Sequence, residues 1–146
     1  MKIMVIIMKL NDEIMQQTFS RFDEAGDPVL YYCYGTITAT LGKMMLLGSL
    51  SALANQYFIL GFSKSRLIMI KIDMLGKPKN PTIIPLSYIN SVKIANWFFG
   101  MGKKITIELT DSSKIRLKVN KTNIMIKKQK ENILAICDML SNTYGG

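Results

Sequence analysis

The chain has 146 residues, 49% of them hydrophobic and 20% charged, with a formal net charge of +9 and no histidine. That length fits one domain with a core that needs no disulfide, and the hydrophobic share excludes wholesale disorder. Without histidine there is no Ser–His–Asp triad, no Cys–His pair and no His-containing metal site, and two cysteines cannot supply a four-thiolate zinc site.

The basic residues are 16 Lys and only 3 Arg (Arg21, Arg66, Arg116). Lysine attracts anions as a point charge, whereas bidentate recognition of guanine or phosphate usually uses arginine. The excess is local. Residues 1–60 sum to −1, residues 61–130 to +12, and residues 131–146 to −2.

The run from Lys2 to Lys9 holds six apolar residues, too few for a secretory leader of about 7–15. Residues 11–24 are predicted to form a helix, capped by Asn11 or Asp12, with Ile14, Met15, Thr18, Phe19 and Phe22 along one stripe. Asp12, Glu13, Asp23, Glu24 and Asp27 cluster on it and its cap, where the helix dipole accounts for them. Gly26-Asp27-Pro28 forces a turn, and Val29–Ile37 reads as a strand. Residues 42–54 could form a short helix with Leu46, Leu50 and Leu53 on one face. Residues 44–63 are an uncharged run long enough to cross a bilayer. Ser49, Ser51, Asn55 and Gln56 interrupt it, and its second half is strand-like, so no spanning helix is expected.

From Tyr57 the period changes to two. Tyr57–Phe62 and Leu67–Ile72 read as strands joined by Ser63-Lys64-Ser65-Arg66. Thr82–Pro85 is a short edge piece, Ile89–Trp97 a further strand, and Gly100-Met101-Gly102 a loop. Lys104–Thr110 and Lys114–Val119 form the clearest hairpin. Placing Leu109 opposite Ile115 leaves Asp111-Ser112-Ser113 as its loop and sets Glu108 against Arg116. A helix from about Lys127 to Ser141 closes the chain. Its stripe is Ile126, Ile133, Cys137 and Leu140, and Tyr144 falls in a fraying tail. Cys33 and Cys137 lie in apolar surroundings and read as buried, reduced thiols.

Short strands at hairpin spacing followed by one amphipathic helix describe a strongly bent antiparallel sheet plugged by that helix. The stretch Tyr57-Phe-Ile-Leu-Gly-Phe-Ser-Lys-Ser-Arg-Leu-Ile-Met-Ile70 resembles the second and third strands of bacterial pleckstrin-homology-like domains. Ile84-Pro-Leu-Ser-Tyr-Ile-Asn-Ser-Val92 is similar to that family's later strand pattern, and the terminal hairpin and helix complete the order. The resemblance covers about residues 29–141. It departs at Ser65, where Asn or Lys is usual, and in the long apolar insert 38–55.

The resemblance implies an α+β, mainly β fold. Residues 29–146 would be a bent antiparallel barrel with a C-terminal helix, and residues 1–28 an N-terminal helical extension. It also implies a non-enzymatic binding module. Lys64-Ser65-Arg66 superficially fits the Lys-x-Arg motif by which eukaryotic relatives hold phosphoinositides. In the family, however, that Arg commonly braces its loop against backbone carbonyls, and bracing is the favoured reading of Arg66.

Two candidate surfaces stand out. Lys104, Lys114, Arg116 and Lys118 alternate on one sheet face, with Lys127 and Lys128 nearby in sequence, and could meet an anionic surface. A solvated row that protects edge strands would look the same. No aromatic residue interleaves with this row in sequence, which argues against nucleic acid. The second surface is apolar: Leu46, Leu50 and Leu53 with Trp97-Phe98-Phe99, which either caps the barrel or forms an association patch. The expectation is a cytoplasmic module, with membrane-peripheral placement as a variant, and no catalytic residue, metal, cofactor or small-molecule substrate is indicated. Self-association or a protein partner leads, because a domain of this size would struggle to bury the 44–56 segment alone. Peripheral binding to anionic lipid is the rival.

Overall fold

The computed structural model describes residues 10–40, 56–72, 81–97 and 99–144. The predicted helix 42–54, with Leu46, Leu50 and Leu53, lies outside these residues, as does Phe98. Helix α1 spans Asp12–Ser20 and is followed by strands β1 (Tyr31–Thr40), β2 (Gln56–Phe62), β3 (Arg66–Lys71) and β4 (Thr82–Pro85). A short 3-10 turn, Leu86–Tyr88, leads to β5 (Ile89–Trp97), β6 (Gly102–Leu109), β7 (Lys114–Asn120) and helix α2 (Gln129–Tyr144). The strands make one antiparallel sheet in the order β4-β3-β2-β1-β7-β6-β5.

The sheet is bent around the larger of two apolar clusters without closing into a barrel. Ile84 on one edge strand and Val92 on the other share a buried cluster with Phe58, Ile105 and Ile133. Helix α2 supplies Ile133, Ile136, Cys137 and Leu140 to that cluster, matching the predicted stripe except for Ile126. Cys33 is fully buried there, and its thiol ionises far above the ordinary range because burial disfavours the thiolate.

A second cluster lies on the other side of β1–β3. Ile59, Ile68 and Ile70 point away from the main core and meet Leu10, Met15, Phe19 and Ile126. This is why β2 and β3 are apolar on both faces. Asn11 caps α1 by accepting the Ile14 N–H at 2.9 Å, as its sequence position predicts. The ring of Phe19 lies directly on Gly61, where an added Cβ would sit 2.5 Å from Cδ1.

Asp12 does more than suit a dipole. Its carboxylate accepts the Tyr32 hydroxyl at 2.7 Å and the backbone N–H groups of Lys127 and Lys128 at 2.6 and 3.2 Å. It therefore ties α1 to the turn that starts α2. These bonds outweigh desolvation, which acts the other way, and hold the carboxyl below its usual range.

Helix α2 also completes the sheet. β1 pairs with β2 along Tyr31–Ile37 but with β7 only along Thr36–Thr40. Where β7 departs, Gln129 takes its place. Its Oε1 accepts the Tyr34 N–H at 3.1 Å, and its Nε2 donates to the carbonyls of Tyr34 and Asn120 at 2.9 and 3.0 Å. Asn132 donates to the Tyr32 carbonyl one pair further along. Two helical side chains thus stand in for missing ladder bonds.

The β6–β7 register corrects the sequence expectation by two residues. Ile107 faces Ile115, Thr106 faces Arg116, and Glu108 faces Lys114 rather than Arg116. A shift of two preserves the inward parity, so the alternation could not choose between the registers. The turn chemistry does. Asp111 accepts the Ser113 N–H at 2.8 Å, Leu109 N–H bonds to Ser113 O, and Ser112 adopts a left-handed φ of 72°. These contacts close a loop of the same length one position earlier, Thr110-Asp111-Ser112. Tyr144 is also corrected: it belongs to α2, and its hydroxyl donates to the Leu86 carbonyl at 2.6 Å.

Candidate functional site

Outward residues of β5, β6 and β7 build a cationic surface that no described element covers. Antiparallel pairing places Lys93 beside Thr106, with Arg116 on the far side of Thr106, and sets Lys104 against Lys118. Lys114 lies opposite Glu108, with Nζ 3.9 Å from its carboxylate. Such an exposed pair contributes no more than about 1 kcal/mol. The predicted members Lys104, Lys114, Arg116 and Lys118 therefore share one face, and Lys93, whose place only the register reveals, joins them. Lys127 and Lys128 do not. They precede α2, and their backbone is bound by Asp12 beside α1.

The expectation that aromatics avoid this face needs correcting. Trp97 is outward on β5, and its indole lies over Gly102, a position that any side chain would fill. Lys118 Nζ sits 5.7 Å from the Trp97 ring centroid, within cation–π range. Tyr34 and Tyr57, outward on β1 and β2, stack with centroids 6.0 Å apart and an interplanar angle of 15°. Between Trp97 and this pair is a cleft of about 240 Å³, also bordered by Thr36, Lys118 and Asn123. Strand parity on β1 and β5 brings these residues together, a relation invisible within the β6–β7 sequence.

The hairpin tip beyond Trp97 is apolar and open. Phe99 is 99% exposed and Met101 57% exposed. Phe99 and Gly100, within the connection that follows the Trp97–Gly102 pair, both take left-handed backbone conformations, with φ of 56° and 81°. An aromatic residue is strained there, at a cost on the order of 1 kcal/mol.

Arg66 braces its loop. Its Nε donates to Asp27 Oδ2 at 2.8 Å, its Nη2 to the Asp27 carbonyl at 2.8 Å, and Nη1 lies 3.6 Å from Glu24. Ser63 and Ser65 donate hydroxyls to the same Asp27 oxygen at 3.1 and 2.6 Å. The guanidinium is nearly buried and occupied, so Lys64-Ser65-Arg66 is not an open phosphoinositide motif. Asp27, read from sequence as part of an acidic helix cap, is the acceptor at the centre of this cluster.

The Ser65 hydroxyl, with Arg66 and Ser63, lowers the Asp27 carboxyl from 3.8 to about 2, against desolvation that raises it. A carboxylate depressed in the folded state stabilises the fold above its unfolded pKa and loses that contribution as pH falls through the folded one. Wild type is therefore expected to lose stability between pH values of about 4 and about 2. Asp27→Asn should flatten that limb of the profile, as urea melts across pH would show. An unchanged limb would assign it to other carboxylates.

A bent antiparallel sheet of seven strands with a C-terminal helix over its core is the pleckstrin-homology arrangement. The family described as bacterial PH domain matches residues 24–142, and the chain belongs to it. Among solved structures, the chain is similar to the pleckstrin homology domain of USP37, at 13% identity and a TM-score of 0.47, over 78% of this chain and 99% of that one. It is also similar to the DH/PH domains of p115-RhoGEF, at 10% identity and a TM-score of 0.47, over 97% of this chain and 37% of that one. No match was found among curated proteins. Domains of this family generally mediate protein or lipid binding and are typically non-catalytic.

Proposed function

We propose that this protein is a docking module whose open β5–β7 face rests against anionic lipid headgroups. The charge of that face carries the reading. Lys93, Lys104, Lys114, Arg116 and Lys118 stand outward on three adjacent strands, and Glu108 is the single outward acid among them. Each such cation near an acidic bilayer contributes about 1 kcal/mol. Phe99 and Met101, on the hairpin that joins β5 to β6, are apolar groups suited to the headgroup boundary.

Sedimentation with phosphatidylcholine vesicles, with and without phosphatidylserine, tests this. Binding should require the acidic lipid and weaken with salt. Replacing both Lys104 and Arg116 by alanine should cost about 2 kcal/mol, roughly thirtyfold in affinity. Equal binding to neutral vesicles, insensitive to salt, would reject the electrostatic reading.

Self-association through the hairpin tip is favoured by a different observation: the strain and exposure of Phe99. Such a costly arrangement is expected where the ring is used. Light scattering after size exclusion should then show a dimer or larger species that Phe99→Asn converts to monomer. The same substitution should raise the melting temperature of the monomer, because asparagine tolerates the left-handed turn. A wild-type monomer at micromolar concentration would exclude this reading.

A further inference from the structure

We propose that the cleft between Trp97 and the Tyr34–Tyr57 pair binds a small phosphate monoester. It borders the flat cationic face and shares Lys118 with it, but its ligand does not depend on membrane docking. Among the described residues, the charge of its lining comes from Lys118 alone and no carboxylate borders it. A cleft with one buttressed cation and no acid selects an anion.

Lys118 is held in place before any ligand arrives. Its ammonium lies 5.7 Å from the centroid of the Trp97 ring, and that ring can lie flat because position 102 is glycine. Less side-chain freedom is then lost on binding. The remaining polar wall contains hydroxyl and amide groups, including Thr36, Thr122 and Asn123. The Oδ1 of Asn123 is committed to the Met125 and Ile126 N–H groups at 2.9 and 3.0 Å, which leaves Nδ2 as the donor it can offer.

A point-charge ammonium with surrounding single donors suits the tetrahedral phosphate group. A phosphate offers three acceptor oxygens to the ammonium and the surrounding hydroxyl and amide donors, one more than a carboxylate. The volume, about 240 Å³, is below the range of roughly 300–1,000 Å³ typical of sites for drug-sized ligands. It suits a phosphate with a short carbon body lying against Tyr57, not a dinucleotide or a folded peptide. A soluble metabolite and the headgroup of phosphatidic acid both offer this chemistry.

Trp97 is the single tryptophan of the chain, so its fluorescence reads the cleft directly. The full-length protein would be titrated with glycerol 3-phosphate, with sodium sulfate at matched ionic strength, and with vesicles containing phosphatidic acid or phosphatidylserine. A saturable emission change with glycerol 3-phosphate and not sulfate supports a soluble ligand. A change confined to phosphatidic acid vesicles supports the lipid source. Lys118→Met should weaken either response about tenfold or more, the loss expected when a charged hydrogen-bond partner is removed. Lys64→Met, which deletes the same charge outside both the cleft and the cationic face, should leave it within about twofold.

Equal effects of the two substitutions, equal responses to sulfate, or no response in either arm would overturn the proposal. Should Lys118→Met fail to fold, the wild-type nitrogen–proton spectrum decides: the Trp97 indole and the Thr122 and Asn123 amides must shift with the ester. No shift would overturn the assignment.

Discussion

Gln129→Leu is expected to destabilise the protein by about 3–6 kcal/mol, and in many conditions to leave it unfolded. The substitution keeps approximate size and helix propensity, so the loss isolates the hydrogen bonds. Three backbone groups would be orphaned together: the N–H and C=O of Tyr34 and the C=O of Asn120. Each buried polar group left without a partner costs about 1–3 kcal/mol, and a domain commands only about 5–15 kcal/mol in total. Urea denaturation would measure the loss. Gln129→Glu is the informative companion. Its carboxylate could still accept from Tyr34 but would face two carbonyl oxygens, so this variant should recover stability on mild acidification as the group protonates and regains a donor. A loss below about 1 kcal/mol for the leucine variant would show that water replaces the side chain.

Phe19→Ala is the second large effect, expected to cost about 3–5 kcal/mol. The ring is 2% exposed and fills the space between α1 and the outer side of β2. Its seat exists because position 61 has no side chain: Gly61→Ala would press a methyl group to within 2.5 Å of the ring and should cost about 1–3 kcal/mol by itself. The two losses should not add. With Phe19 already removed the added methyl meets less, so a double-mutant cycle should return a coupling energy on the order of 1 kcal/mol. Strict additivity would mean that α1 does not hold its seat on Gly61 in solution.

The elements themselves could be read from the sequence because their signals are local. Strand β5 was expected over Ile89–Trp97 and occupies those residues. The alternation of Ile105, Ile107 and Leu109 gave the inward face of β6, and all three are buried. What escaped was long-range. Gln129 lies on the apolar side of α2, four residues before Ile133, and a polar residue on a buried stripe is a signal that periodicity alone treats as noise. The role of Asp27 depends on Arg66, 39 positions away, and that of Asp12 on backbone 115 positions away. Neither separation leaves a trace in composition or spacing. The aromatic wall of the cleft was missed for the same reason, since Tyr34, Tyr57 and Trp97 come from three strands and only pairing aligns them.

The Asp12 tie has a kinetic consequence. Its contacts close a loop of 115 residues, so the entropy of joining these parts is repaid only after the intervening sheet exists. Docking of α1 therefore belongs late in folding, after the β1–β3 surface that receives Phe19 has formed. Substitutions at Asp12 and Phe19 should then act mainly by speeding unfolding and leave the refolding rate nearly unchanged. In that sense α1 is a latch: it does little to help the sheet assemble, and much to set how long the assembled domain lasts.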